Sequence, residues 1–178
     1  MAKQRAVNTH NDLDAEIRER MITLLNQQMA DTFDLFSQTK QAHWNVKGPQ
    51  FYQLHLLYDT LAEGLEGYVD ELAERTTALG GVAMGTVRMA AEETRLPEYP
   101  PGPTESMDSV QCLVERYSNL AASTRQAIDE ADEQADEDHQ DDRRVDEGAR
   151  DLALQLDRLL VVLREAAQDG VEDAADLS

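Results

Sequence analysis

The sequence predicts an all-α chain: four long helices in a bundle, with a short extra helix inside the long connection between the second and third. Three observations carry this reading. Apolar residues recur at helical spacing in four separate segments. Four of the five Pro and four of the nine Gly fall in one stretch, residues 80 to 104, so the breakers are gathered where a crossover is needed. At 178 residues with 41% hydrophobic content, the chain is long enough for one domain with a substantial core.

The first helix is expected from about Asp14 to Ala42, with Asn11 or Asp12 as its cap. Ile22, Leu25, Met29, Phe33 and Phe36 form one apolar stripe, and Met21, Leu24, Gln28 and Leu35 part of another. Two such faces imply burial on both sides, as in an oligomer. The second helix is expected from Pro49, which fits an early helical position, to Leu79, where Gly80-Gly81 is a stop. Its core face is Leu54, Leu57, Leu61, Leu65, Tyr68, Leu72 and Leu79. Residues 80 to 104 are too long for a bare hairpin loop, so a short helix near Thr86 to Thr94 is placed inside them. The third helix runs from about Ser106 to Glu130, with Val110, Leu113, Val114, Tyr117, Leu120 and Ile128 inward. The fourth runs from about Asp142 to Gln168, with Ala149, Leu152, Leu156, Leu159 and Leu163 inward. Between them, Asp129 to Asp142 reads as an acidic helix–helix turn. The whole is taken as one domain, 1–178, with tails at 1–11 and 170–178. No internal repeat and no Gly-rich phosphate loop is present.

The chemistry concentrates at His43, His55, Asp59, Asp70 and Glu74. Two imidazoles and three carboxylates, with no cysteine, suit iron or manganese and, less selectively, zinc. On the second helix His55, Asp59, Glu63, Glu66, Asp70 and Glu74 share a stripe about 100° wide, away from the core face. Asp59 and Asp70 lie about 16 Å apart along that helix, whereas ligands sit roughly 2 Å from an ion. One helix therefore cannot bring both pairs to one ion. Two copies packed antiparallel can, because the pairs 55/74 and 59/70 share one midpoint between Gly64 and Leu65. Ala62, Gly64 and Gly67 permit close approach there, and a two-fold pairing gives two identical sites. His43, just before the Gly48-Pro49 turn, adds the second imidazole. An acidic stripe is also the ordinary appearance of a solvated helix face, and a helical oligomer with a structural metal such as zinc is a further reading.

Residues 43 to 81 resemble the core signature of the Dps family, the ferritin-like miniferritins. The chain reads H-W-N-V-K-G-P-Q-F-Y-Q-L-H-L-L-Y-D, then D-E-L-A-E-R and a short run to G-G, without a gap against the family pattern. The resemblance implies a ferritin-like bundle assembled from two-fold dimers into a hollow dodecamer. It implies a ferroxidase that oxidises Fe(II), commonly with hydrogen peroxide or else with dioxygen, and stores Fe(III) mineral inside. His43, His55 and Asp59 would come from one subunit and Asp70 and Glu74 from the other. Trp44 would be open to sacrificial oxidation beside the iron, the plainer reading being packing at the helix end. Glu63 and Glu66 are candidates for early mineral nucleation, or simply solvated. The turn between the last two helices would line acidic three-fold pores, with Asp138, Asp142 and Glu147 as the candidates and His139 nearby.

Thirty-six acidic residues face sixteen basic ones, a net charge of −20, and only Lys3, Lys40 and Lys47 are lysines. Such a surface repels nucleic acid, so DNA binding is not expected despite the family name. The same balance resembles proteins of high-salt cytoplasm, where screening weakens self-repulsion, and it also attracts cations. Cys112 is the single cysteine, which fits a reducing compartment and the role of a buried small hydrophobe. No apolar run reaches a membrane span. The first residues lack the apolar core of a secretion signal, so a cytoplasmic location is expected.

Overall fold

The computed structural model describes residues 13–102 and 105–138, together with Leu154 and Val161, which are helical. Four helices are named among them: α1 (Ala15–Asn45), α2 (Phe51–Ala78), α3 (Val87–Glu93) and α4 (Ser106–Asp138). The expected fourth long helix, Asp142 to Gln168, otherwise lies outside the described residues. Apart from one isolated bridge, Lys47 to Glu105, the described residues hold no β-structure.

Asp14 caps α1, its carboxylate accepting from Glu16 N–H at 2.8 Å, in place of Asn11 or Asp12, the caps expected from the sequence. The helix runs on past His43 and closes with Val46 N–H donating to Ala42 O at 2.9 Å. The turn into α2 depends on Gly48, whose φ of 105° a side chain would strain. A Cβ there would also stand 2.7 Å from Ser106 Oγ. That hydroxyl donates to Lys47 O at 2.6 Å, so the α1–α2 turn is pinned to the start of α4. Gly80, with φ 84°, lets the chain leave α2.

The core lies where α1, α2 and α4 meet. Leu35, Leu61, Leu65, Leu113, Leu120 and the two tyrosines Tyr58 and Tyr117 are fully buried. Both phenols have partners: Tyr58 with Ser109 at 2.7 Å and Tyr117 with Thr39 at 3.2 Å. The buried face of the second helix is shifted from the expected one: Leu57 and Tyr68 are only half-buried, while Tyr58, Ala62 and Thr76 are buried, so Ala62 lies in the chain's own core rather than where a second copy was expected to approach. Cys112 is likewise half-buried against the core.

Polar side chains of α1 stitch the crossover down. Asn26 accepts from Met84 N–H, Gln27 donates to Glu93 O, and Gln38 donates to Pro97 O. Buried Asp31 takes the Arg95 backbone N–H at 2.7 Å and its guanidinium at 2.6 and 2.9 Å. A polar face of α1 carrying Gln27, Asp31 and Gln38 therefore faces the chain's own crossover. From α4, Arg116 reaches Glu98 O at 2.7 Å and Gln38 at 2.7 Å.

One element departs from expectation. Residues 130–138 continue α4 as helix where a turn was expected. The run Ala-Asp-Glu-Gln-Ala-Asp-Glu-Asp carries no helix breaker, and alanine and glutamate favour the helix. Asp138 is thus the last named residue of α4, while His139, Asp142 and Glu147 lie outside the described residues.

Candidate metal centre

The two histidines meet across the α1–α2 turn. His43 lies in the last turn of α1 and is 9% exposed, and His55 lies half-buried on α2. Their rings stack with centroids 3.7 Å apart at 21°. Each ring's Nδ1 is bonded to the other residue's backbone carbonyl: His43 Nδ1 to His55 O at 2.8 Å, and His55 Nδ1 to His43 O at 2.9 Å. A carbonyl only accepts, so each Nδ1 carries the proton and each Nε2 keeps its lone pair for a metal. The end of α1 makes the His43 carbonyl available, because the last carbonyls of a helix have no intrahelical partner, whereas the His55 carbonyl lies inside α2.

Asp59 sits one turn after His55. Its Oδ1 lies 3.9 Å from His43 Nε2 and 2.6 Å from the Lys40 ammonium. The Lys40 hydrogen bond holds the Asp59 carboxyl below its ordinary range. Lys40 also lies 6.0 Å from the centroid of the Trp44 ring. Trp44 itself is 68% exposed, so within the chain it does not pack at the helix end, as the plainer expectation had it.

Asp70 and Glu74 are exposed on α2, as are Glu63 and Glu66 between them and Asp59. The structure thus brings together His43, His55 and Asp59 and leaves Asp70 and Glu74 further along the helix. Among the described residues no group of three or more His, Cys, Asp or Glu converges to hold an ion within the chain. Two imidazoles with fixed tautomers and a carboxylate are nonetheless the donor chemistry that non-haem Fe(II) takes. Sequence reasoning passed over Lys40. The available signal was its position, one turn before His43 and Trp44 on the same helix face.

Residues 22–141 match the ferritin-like domain family. The DNA protection during starvation protein of Agrobacterium fabrum is 42% identical over 125 residues, 70% of this chain and 77% of that protein. This chain belongs to the Dps family of ferritin-like proteins. DpsC from Streptomyces coelicolor superposes on it with a TM-score of 0.82 at 28% identity, over 90% of this chain and 91% of that one. A Dps protein from Vibrio cholerae O1, described as a member of a broad superfamily of ferritin-like diiron-carboxylate proteins, shares the fold with a TM-score of 0.79 at 23% identity, over 92% and 98% of the two chains. The Dps and ferritin-like family is one of iron storage and oxidative protection, and the all-α bundle seen here is its fold. No helix among the described residues is long and apolar enough to cross a membrane.

Proposed function

We propose that this Dps protein is a ferroxidase and iron store whose oxidation centres are shared between two copies of the chain. The observation that carries the reading is the reciprocal histidine pair, which leaves two imidazole Nε2 atoms free beside Asp59. Asp70 and Glu74 of a second copy, brought up by antiparallel packing of α2 on α2, complete the donor set. Exposed Tyr52 and Leu56 lie on the same side of α2 as the acidic stripe and gain cover in that packing.

Carboxylates stabilise Fe(III) more than Fe(II) and so favour loss of the electron. Hydrogen peroxide is the preferred oxidant in this reading: two Fe(II) each give one electron, and with two protons the peroxide leaves as two waters, so no hydroxyl radical is released. Dioxygen is the alternative oxidant. The dimers assemble into a hollow dodecamer in which Fe(III) hydrolyses and is stored. Glu63 and Glu66 serve as nucleation carboxylates, Asp138, Asp142 and Glu147 line the pores, and exposed Trp44 intercepts stray oxidising equivalents. The location is cytoplasmic, DNA is not a partner, and the high-salt reading rests on the acid excess alone.

The test is anaerobic loading with Fe(II), addition of peroxide, and Fe(III) absorbance in wild type against Asp70→Asn/Glu74→Gln. Rapid oxidation that is lost in an intact variant shell supports the shared centre. Equal rates in both make the carboxylate pair a solvated face and overturn it.

A further inference from the structure

Tyr99 lies near the end of the crossover, and its hydroxyl is the one buried side-chain polar atom without a hydrogen-bond partner among the described residues. The residue is 7% exposed. A partnerless buried hydroxyl disfavours the fold relative to phenylalanine, so its presence asks for an acceptor. Arg116, 4% exposed, stands over the Tyr99 ring at 5.7 Å. The same guanidinium donates to Glu98 O at 2.7 Å, one residue before Tyr99, and to Cys112 O at 2.9 Å, one turn back on α4. Tyr99 and Cys112 are thereby held to one cation. Their side chains also feel each other: burial raises the Tyr99 phenol, and the neighbouring Cys112 thiolate raises it further. Tyr58, the other phenol near that thiol, is already bonded to Ser109 at 2.7 Å. The half-buried, free thiol thus has beside it a spare hydroxyl donor and a positive charge, a setting that suits an anionic oxygen better than a thiol.

We propose that Cys112 is a site of reversible oxidation by hydrogen peroxide, its sulfenate held by the Tyr99 hydroxyl beside Arg116. The step is Cys–SH + H2O2 → Cys–SOH + H2O. A sulfur lone pair forms the S–O bond as the O–O bond breaks, and the thiol proton leaves with the second oxygen as water. Sulfur loses two electrons and the peroxide gains them. The sulfenic acid gives its proton to solvent, and the oxygen left on sulfur accepts from Tyr99. Burial raises the Cys112 thiol against the pull of Arg116, so thiolate is scarce and the attack slow. A slow thiol takes only peroxide that outlasts a faster consumer, so Cys112 registers surplus oxidant rather than competing with the iron centre. The chain has no second cysteine to close a disulfide. Return to the thiol therefore falls to a small-molecule thiol, which condenses with the sulfenic acid, releasing water, and a second such thiol then reduces the mixed disulfide.

The test is made on the assembled protein before iron is added, so it stands apart from the assignment of the metal ligands. Wild type, Tyr99→Phe and Cys112→Ser are exposed to hydrogen peroxide. Sulfenic acid is trapped with dimedone and located by peptide mass spectrometry, which separates it from oxygen on the six methionines. Wild type is expected to accumulate the adduct at Cys112, and without the trap to return to the thiol with glutathione. Cys112→Ser gives no adduct at that position, with Cys112→Ala in its place should serine prevent assembly. In Tyr99→Phe the sulfenate loses a charge-assisted bond and runs on to sulfinic and sulfonic acid, its lifetime shorter by about tenfold. Before oxidation Tyr99→Phe is expected to melt no lower than wild type. A clear loss of Tm there shows that the hydroxyl is already bonded within the fold and overturns its availability to sulfur. Absence of the adduct in wild type, at peroxide that oxidises its methionines, overturns the site. An unchanged sulfenate lifetime in Tyr99→Phe overturns the role of Tyr99.

Discussion

His55→Phe separates ligation from packing. Phenylalanine keeps a flat ring to stack on His43, where the centroids are 3.7 Å apart. It deletes Nε2, and it deletes the Nδ1 bond to His43 O at 2.9 Å. The His43 tautomer survives, because its own Nδ1 bonds the backbone oxygen of residue 55, which stays. Loss of one neutral hydrogen bond at a half-buried site costs about 1 kcal/mol, or about 2–4 °C in Tm for a domain of this size. The effect on metal is much larger. Groups that merely orient a ligand are worth about 10–100-fold in affinity, so deleting the ligand is expected to cost about 100-fold or more. Anaerobic Co(II) titration followed by visible absorption reads the first quantity, and scanning calorimetry the second. Unchanged Co(II) affinity refutes the assignment of His55. A Tm loss of roughly 10 °C or more refutes the argument differently, by showing that the stacked ring holds the fold.

Further expectations concern the crossover, alkaline stability and nucleic acid. Asp31→Ala removes a buried acceptor of three Arg95 bonds; Arg95 is half-exposed, so water takes over its guanidinium and the net cost is about 2 kcal/mol. Hydrogen exchange should then rise in residues 94–97 before the rest of the chain, and uniform exchange would refute the stitching role. Burial raises the Tyr58 phenol to about 12 and raises Tyr99 and Tyr117 as well. A raised folded value contributes stability that is complete below pH 10 and is lost as pH climbs toward 12, so tyrosinate absorbance of these three should appear together with unfolding. With sixteen basic against thirty-six acidic residues, a gel-shift titration at physiological salt should show no complex with DNA; a shift that weakens as salt rises would overturn that reading.

The second helix was legible because its two faces differ so sharply in chemistry. The Leu-rich face is buried and the stripe from Asp59 to Glu74 is not, so periodicity alone separates them. The first helix was read less fully. Gln27, Asp31, Asp34 and Gln38 also recur at helical spacing, and they are the residues that bind the crossover. A polar stripe does not disclose that it faces backbone rather than water, so the pattern was visible and its partner was not. The extension of α4 escaped for a related reason: acid-rich sequence without Gly or Pro suits a solvated helix as well as a turn. The reciprocal histidine bonds depend on the end of α1 meeting the second turn of α2, which no spacing reveals. Lys40 escaped because a single lysine carries no period.

The division of the centre between two chains can itself be tested at Gly67. A Cβ built there meets nothing within 4 Å, so the isolated chain tolerates a side chain at that position. Alanine in place of glycine also favours a helix by about 1 kcal/mol. Gly67 lies close to the midpoint shared by the 55/74 and 59/70 pairs, where antiparallel copies of α2 must approach most closely. Gly67→Arg should therefore leave each chain folded while wedging the pair apart. His43, His55 and Asp59 remain together in every copy, yet Asp70 and Glu74 no longer reach them. The expected result is a smaller species by light scattering that keeps native helicity and loses tight Co(II) binding, with Gly67→Ala close to wild type in both. Should Gly67→Arg remain assembled and bind Co(II) normally, the helices do not pair about that midpoint, and the carboxylates that complete the centre must come from elsewhere.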